Sequence, residues 1–467
     1  MSVHTTSADA DGITLRSDDR TLRIEPVSAS IVRVVHTGED IVPPSESLIV
    51  ESVPEDPVEW SWTEGDETLT LTTDEVRLDI DRETAAFDWQ DRDGRRYVRE
   101  PAEGGKSIAD VSPADLANGE DLAGPPETLD RTAYETRLEL EFADGESLYG
   151  LGQHEEGIAD YRDAMQYLYQ ANTKVAMPAL VSTRGYGILL DTTSLATFHD
   201  DQHGSYVWTE CDDQQEFYFV AGPDLDDVIA GFRDLTGDPT MFPKWAYGYV
   251  QSKERYETGA ELVEIVSEYR EREIPLDVIV QDWMYWPSDG EPAFDLGGDA
   301  DWSQWGQKSF DTDRFPDPSA TIDAIHDMDA RVMISVWPNM HDGSNREEMA
   351  AAGHIMDEAN VVPGPANEQG YYDAFDADAR KLYWEQAEAG LFDHGIDAWW
   401  CDSTEPYAAD WAFDEKPQPW KRMGHAADVF KSVIDPEYVN AYSLAQARGM
   451  YEGQRASTDE KRVLNLT

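Results

Sequence analysis

Cysteine is nearly absent from this sequence: Cys211 and Cys401 are the only two thiols in 467 residues, too few for a disulfide scaffold. Basic charge is scarce as well, with 36 Lys and Arg against 96 Asp and Glu, a formal net charge of −60. A polyanion needs a basic footprint, so nucleic acid is excluded as a partner, and an anionic membrane surface is disfavoured on the same ground. No run approaches the roughly 18 apolar residues of a membrane-spanning helix. The amino terminus, MSVHTTS, has no basic stretch leading into an apolar one, so no secretory signal is legible and the expected location is the cytoplasm. His154-Glu155-Glu156 lacks the second histidine that a zinc-protease helix requires. Neither a phosphate-binding glycine loop nor a Gly-x-Ser-x-Gly elbow occurs.

What the chain does have is apolar and aromatic mass. Apolar residues make up 40% of it, with 15 Trp, 21 Tyr and 14 Phe, which supplies large cores and argues against disorder. The acid is spread along the whole length rather than gathered in a tail. Concentrated salt screens such self-repulsion to a few ångströms, so the charge reads as a halophilic surface that reports habitat rather than chemistry.

Short β-prone segments at 22–35, 68–80 and 86–90 precede a polar stretch at 101–130, whose Gly104-Gly105 and Pro125-Pro126 suit a loop. Further β-prone segments lie at 134–142, 187–190, 204–209 and 216–220. Many short strands between turn signals predict an antiparallel β-sandwich over residues 1–240. From 241 onward, strand-like runs at 246–250, 276–281, 331–337, 397–401 and 462–466 alternate with helix-periodic runs at 259–272, 321–327, 378–394, 425–433 and 442–449. That alternation predicts right-handed βαβ units around parallel strands: an incomplete (β/α)8 TIM barrel over 241–467, ending at about the fifth strand.

The sharpest segment is IDAWWCDSTEP at 396–406, an apolar strand that ends directly in Asp402, with Glu405 three residues on. Residues just past a barrel strand's C-terminal end face the active-site mouth. The same stretch also fits a helix N-cap at Asp402, with Glu405 closing a capping box. Asp282 repeats the pattern in IVQDWMYW at 279–286, where the alternative is a surface loop acid. Trp337 ends VMISVWP at 332–338, with a core or rim position as its alternative. Carboxylates beside aromatics suit a sugar: the acid accepts hydroxyl hydrogen bonds and the rings cover C–H faces. A carboxylate pair in such a pocket points to glycoside hydrolysis. In a retaining enzyme one acid is an ionised nucleophile and the other, roughly 5–5.5 Å away, protonates the leaving group. Cys401 is expected to face the barrel interior as a small apolar side chain, its thiol kept protonated by Asp402.

At these residues the sequence resembles the glycoside hydrolase family 31 α-glycosidases, most closely their α-xylosidase-like branch. LYGLGQ at 148–153 and YLYQANTKVAMP at 167–178 resemble the family's N-terminal, galactose-mutarotase-like sandwich. KWAYGYVQSKERY at 244–256 resembles its first barrel strand and loop. DWMYW at 282–286, FDTDRFPDP at 310–318, SVWP at 335–338, WWCDSTEP at 399–406, AYSLAQARGMYEGQR at 441–455 and KRVLNLT at 461–467 follow in the expected order.

The resemblance implies an exo-acting, retaining hydrolase that removes α-xylosyl or α-glucosyl residues from non-reducing ends, with an α-linked oligosaccharide or xyloside as substrate. It implies Asp402 as nucleophile and Asp282 as the acid that binds a hydroxyl of the terminal sugar. Trp337 and Trp399 would line the pocket around that sugar, with Trp283 and Phe310 nearby. Glu405 would support the site from behind or cap a helix, and a sandwich loop at 153–163 would reach the pocket. No metal and no organic cofactor is implied. One departure stands out: in the family an Arg-Ser pair follows the strand matching 463–467, and a later Trp-Ser-Gly-Asp supplies the general acid/base, but neither follows here. The expectation is a C-terminally truncated family member whose chain alone is inactive. A half-enzyme completed in trans by a separately encoded C-terminal half, or a non-catalytic sugar-binding protein, stands beside it.

Overall fold

In the computed structural model of the chain, residues 5–42, 47–54, 57–117, 129–288, 304–356, 370–405, 417–431 and 433–467 are described. The backbone divides into two units, Met1–Pro239 with Pro417–Ala441, and Thr240–Lys416 with Tyr442–Thr467. Residues 417–441 thus group with the first unit. Polar contacts far apart in sequence hold them there. The Arg131 guanidinium donates to Asp435 at 3.0 Å and to Glu437 at 2.6 Å. The Asn440 side-chain amide donates to the carbonyls of Leu168 and Ser194 at 3.1 and 2.8 Å.

Alternation of apolar and polar residues builds the first unit. In Val76–Asp81 the alternate positions Val76, Leu78 and Ile80 are fully buried, while Arg77 points out. An eight-stranded antiparallel sheet pairs Ile31–Thr37 with Gln215–Ala221, nearly two hundred residues later in the chain. A five-stranded sheet runs in the order Lys106–Val111, Ala133–Glu139, Gly204–Asp212, Ala196–Asp201, Met165–Leu168, and a five-stranded meander spans Ser61–Glu64 to Arg96–Arg99. One apolar core joins the sheets: Trp89 of the meander stacks on Phe219 of the large sheet at 4.1 Å, and Phe198 and Val207 of the five-stranded sheet belong to the same cluster. The sandwich predicted from sequence is what forms.

The polar stretch expected to be loop instead contributes the Lys106–Val111 strand. Lys106 is buried there against Glu100, with its ammonium 3.3 Å from the centre of the Phe87 ring, so a sequence without an apolar face still sits in a sheet. Pro125-Pro126 lies outside the described residues.

In the second unit five parallel strands lie side by side in chain order: Val250–Gln251, Val278–Gln281, Arg331–Val336, Ala398–Cys401 and Asn465–Leu466. Helices Gly259–Glu271, Pro318–His326, Ala377–Gly390 and Tyr442–Ser457 intervene. This is the consecutive winding of a (β/α)8 barrel, of which the described residues form a five-stranded part. The first strand is shorter than expected, because Pro243 opens a 3-10 turn at Lys244–Tyr247 and leaves two residues to pair. The helix Ser344–Ala352 has no apolar periodicity strong enough to have been read from sequence.

Strand parity then sorts the side chains. Val278, Val280, Met333 and Ala398 form one face, with Val250, Trp400 and Leu464 partly buried beside them. The opposite face meets the helices. Trp399 belongs to that second face: it is fully buried, its indole N–H donates to Gln454 at 2.9 Å, and it packs edge-on against Trp384 at 5.7 Å. Cys401 shares its parity, so it faces the helix layer rather than the barrel interior, and its charge would act on the Tyr372 and Tyr383 hydroxyls. Trp399→Ala is expected to cost about 3–5 kcal/mol of stability through cavity formation, read by chemical denaturation of the barrel unit.

Candidate active site

Parallel register brings the strand-end acids together. Val278, Val280 and Asp282 alternate onto the inner face of one strand, Met333, Ser335 and Trp337 onto the next, and Ala398, Trp400 and Asp402 onto the third. Gln281 is level with Ile334, so Asp282 falls beside Ser335. Val336 is level with Cys401, so Asp402 falls beside Trp337. The side chains follow the backbone. Ser335 Oγ donates to Asp282 Oδ1 at 2.8 Å, and the Trp283 amide N–H donates to the same oxygen at 2.8 Å. Asp402 Oδ1 accepts from the Ser403 amide N–H at 2.7 Å, and the carboxylate also accepts a side-chain hydrogen bond from Trp337.

The backbone turns sharply after each acid. Met284 and Ser403 hold left-handed φ values of 59° and 53°, a conformation that side chains rarely adopt and that costs on the order of 1 kcal/mol or more. Asp402 to Glu405 makes this turn and residues 403–405 are not helical, so the reading of Asp402 as N-cap with Glu405 closing a capping box falls away. Glu405 is half-buried, and its charge acts on the Tyr371 hydroxyl, which donates to the Ser403 carbonyl at 3.2 Å.

Electrostatics follow from burial. Asp282 is pushed up to about 6, first by burial and then by the Asp402 charge, while the Ser335 and Trp283 hydrogen bonds pull it down. Burial also raises Asp402, opposed by the Ser403 and Trp337 donors. The Asp402 charge thus reaches Asp282, and each acid has donors placed to favour its ionised form.

Aromatic rings wall the site. Trp337 meets Trp286 edge-on at 5.2 Å and Trp305 at 5.4 Å, and Trp305 meets Trp283 at 5.5 Å. The Arg255 guanidinium lies 4.7 Å from the Trp283 ring centre. Asp282, Asp402, Trp337 and Trp283 are therefore brought together. Trp399 is not, and Trp400 takes the inner position instead. Phe310 stands one ring back, against Tyr285, Phe315 and His394 at 5.5, 5.3 and 5.7 Å. Ser335, Trp305 and Arg255 are additional members of the cluster. Parity counted from Asp282 would have pointed to Ser335, whereas Trp305 arrives from a loop that carries no periodic signal. Among the described residues, no group of three or more His, Cys, Asp or Glu side chains is placed to hold a metal ion, and no helix is long and apolar enough to cross a membrane.

Comparison with known proteins places this geometry. Residues 239–467 match the glycosyl hydrolases family 31 TIM-barrel domain, and residues 21–199 match the glycosyl hydrolase 31 N-terminal galactose mutarotase-like domain. An α-xylosidase of Saccharolobus solfataricus is 31% identical over 97% of this chain and 56% of its own length. Alpha-glucosidase 2 of Bacillus thermoamyloliquefaciens is 29% identical over 60% of this chain and 34% of its own. The crystal structure of a family 31 α-xylosidase from Xanthomonas citri has the same fold, with a TM-score of 0.79 at 24% identity over 98% of this chain and 63% of that one. The chain thus spans a little over half the length of the first of these relatives. Both of its units and the order of its strand-end motifs lead to one assignment: the chain belongs to glycoside hydrolase family 31.

Proposed function

We propose that this chain carries the nucleophile and sugar-binding acid of a retaining α-glycosidase that removes terminal α-xylosyl residues, with α-glucosyl as the second choice. The observation that carries the reading is the pair Asp282 and Asp402 at the ends of the two strands that flank Arg331–Val336, inside a tryptophan-walled site. The xylosyl preference is supported by the likeness to an α-xylosidase along 97% of the chain, against 60% for an α-glucosidase.

In this reading Asp402 attacks C1 of the terminal sugar as the bond to the leaving group breaks, giving a β-linked glycosyl ester. Water then attacks the same carbon, releases the carboxylate and restores the α configuration. Asp282, ionised, accepts hydrogen bonds from sugar hydroxyls and offsets the positive charge that develops on the ring. Fluoride departs without a proton donor, so a 5-fluoro-α-xylosyl fluoride isolates the contribution of Asp402. The expected result is a stable adduct on the peptide containing Asp402, found by mass spectrometry, forming faster than with the glucosyl analogue. An adduct on another residue, or none, would remove Asp402 from the role. No Trp-Ser-Gly-Asp stretch occurs in the sequence. Within the same reading, the 467 residues alone are therefore expected to leave alkyl α-xylosides and α-linked oligosaccharides, whose weakly acidic leaving alcohol calls for a proton, nearly untouched.

The pH dependence has a defined sign. The Asp282 carboxyl is raised to about 6, so adduct formation should fall as pH drops through about 6 and the acceptor is protonated. Ser335→Ala removes a donor that favours the ionised form. The acid limb should then move upward by about one unit, the equivalent of a hydrogen bond worth about 1.4 kcal/mol. A limb that stays put or moves down would assign it to another group.

A further inference from the structure

The five-stranded sheet of the first unit carries a second constellation suited to a sugar. Phe198 and Val207 point into the core, so their strand neighbours point out. Register sets Met165, His199 and Tyr206 side by side on three adjacent strands, with Tyr167, Thr197 and Trp208 in the next row. The His199 ring stacks on Tyr206 at 4.5 Å with an interplanar angle of 13°, and the Arg137 guanidinium lies 3.6 Å from the centre of the same Tyr206 ring. His199 Nδ1 pairs with Asp201 Oδ2 at 3.1 Å, and the His203 amide N–H donates to Asp201 Oδ1 at 2.7 Å, which fixes the hairpin turn. A cavity of about 590 Å³ opens on this face, lined by Tyr167, His199, Asp201 and the Gln202-His203 turn, with Met165 and Asp163 at its side.

Several ligand classes fit poorly. His199 and His203 are four apart, the spacing of a helical metal site, but they lie across a hairpin rather than on one helix face. Among the described residues no metal-holding group forms. Anionic polymers meet a chain of net charge −60. The face offers flat rings with fixed imidazole, carboxylate and amide groups at their edges, in a cavity within the roughly 300–1,000 Å³ of small-molecule sites. That combination matches a neutral polyol: rings for C–H faces, edge groups for hydroxyls.

We propose that this cavity is a non-catalytic binding site for a neutral α-linked oligosaccharide, seated against Tyr167 and His199 and hydrogen-bonded by Asp201 and the Gln202-His203 turn. The choice of an α-linked chain rests on the function proposed above; the site itself rests on this sheet face alone.

The test uses the full chain, with its first site closed by the 5-fluoroxylosyl adduct on Asp402, or weakened by Asp282→Ala, which removes its charged acceptor, if no adduct forms. Calorimetric titration with isomaltotriose and with a xylose-substituted cello-oligosaccharide should show one remaining site for at least one of them, and none for trigalacturonate. Tyr167→Ala combined with His199→Ala should weaken that site at least tenfold while the rate of labelling at Asp402 in the otherwise unmodified chain is unchanged. If that double variant loses its circular dichroism spectrum, Gln202→Ala with His203→Ala, in the exposed turn, should weaken binding in its place. Absence of a remaining site, binding indifferent to these substitutions, or preference for trigalacturonate overturns the proposal. Failure of the function reading shows separately, as a missing adduct at Asp402.

Discussion

Asp402→Ala is expected to slow glycosyl transfer from an α-xylosyl fluoride by about 10⁴–10⁶-fold, the scale on which loss of a catalytic nucleophile registers in other covalent enzymes. The loss should be specific to chemistry, because Asp402 sits at a turn and packs no core: its carboxylate is held by the Ser403 amide and the Trp337 side chain. Removing the carboxylate leaves open the face from which it would attack. Azide should enter there, attack C1 as fluoride leaves, and yield a β-xylosyl azide at a rate that rises with azide concentration. That product reports the geometry as well as the residue, since an azide of α configuration would mean attack from the other face. Unchanged activity in the variant would remove Asp402 from the mechanism outright.

Asp282 carries the second large effect. Asp282→Ala deletes a charged acceptor from the proposed sugar site, and each hydrogen bond to a charged group is worth about 1.5–3 kcal/mol. One or two such bonds correspond to roughly 10–10⁴-fold in kcat/KM for a glycosyl fluoride. Asp282→Asn sharpens the experiment because it mimics the protonated carboxyl while keeping its shape. The fall in activity below pH about 6 should vanish in this variant, which has nothing left to titrate there, and the whole profile should sit low. An acid limb that persists unchanged would take the limb away from Asp282.

Most of the frame of this site was legible because two simple periodicities govern it. Alternation at period two built the sandwich, and an apolar run stopping at an acid marked each of the two strand ends that carry Asp282 and Asp402. What escaped was whatever depends on the partner strand. WWCD holds adjacent tryptophans, and only parity counted back from Asp402 tells that Trp400 faces inward while Trp399 meets the helices. Ser335 is one small residue in an apolar strand; its role comes from lying level with Asp282, which no local pattern records. Glu405 looked like half of a capping box because the spacing is the same, but the left-handed Ser403 turns the chain before a helix can start. The return of 417–441 to the sandwich depends on Arg131 meeting Asp435 and Glu437 some three hundred residues away. Ion pairs at that range leave no trace in sequence, least of all where acids are everywhere.

The two buried thiols have a practical consequence. Burial pushes Cys401 up to about 12 and Cys211 higher still, so neither presents a thiolate to a maleimide or a nitroxide reagent at neutral pH. The native chain is thus already a silent background for thiol chemistry. A single cysteine placed in the exposed Gln202-His203 turn would carry a spectroscopic reporter without any prior removal of native residues.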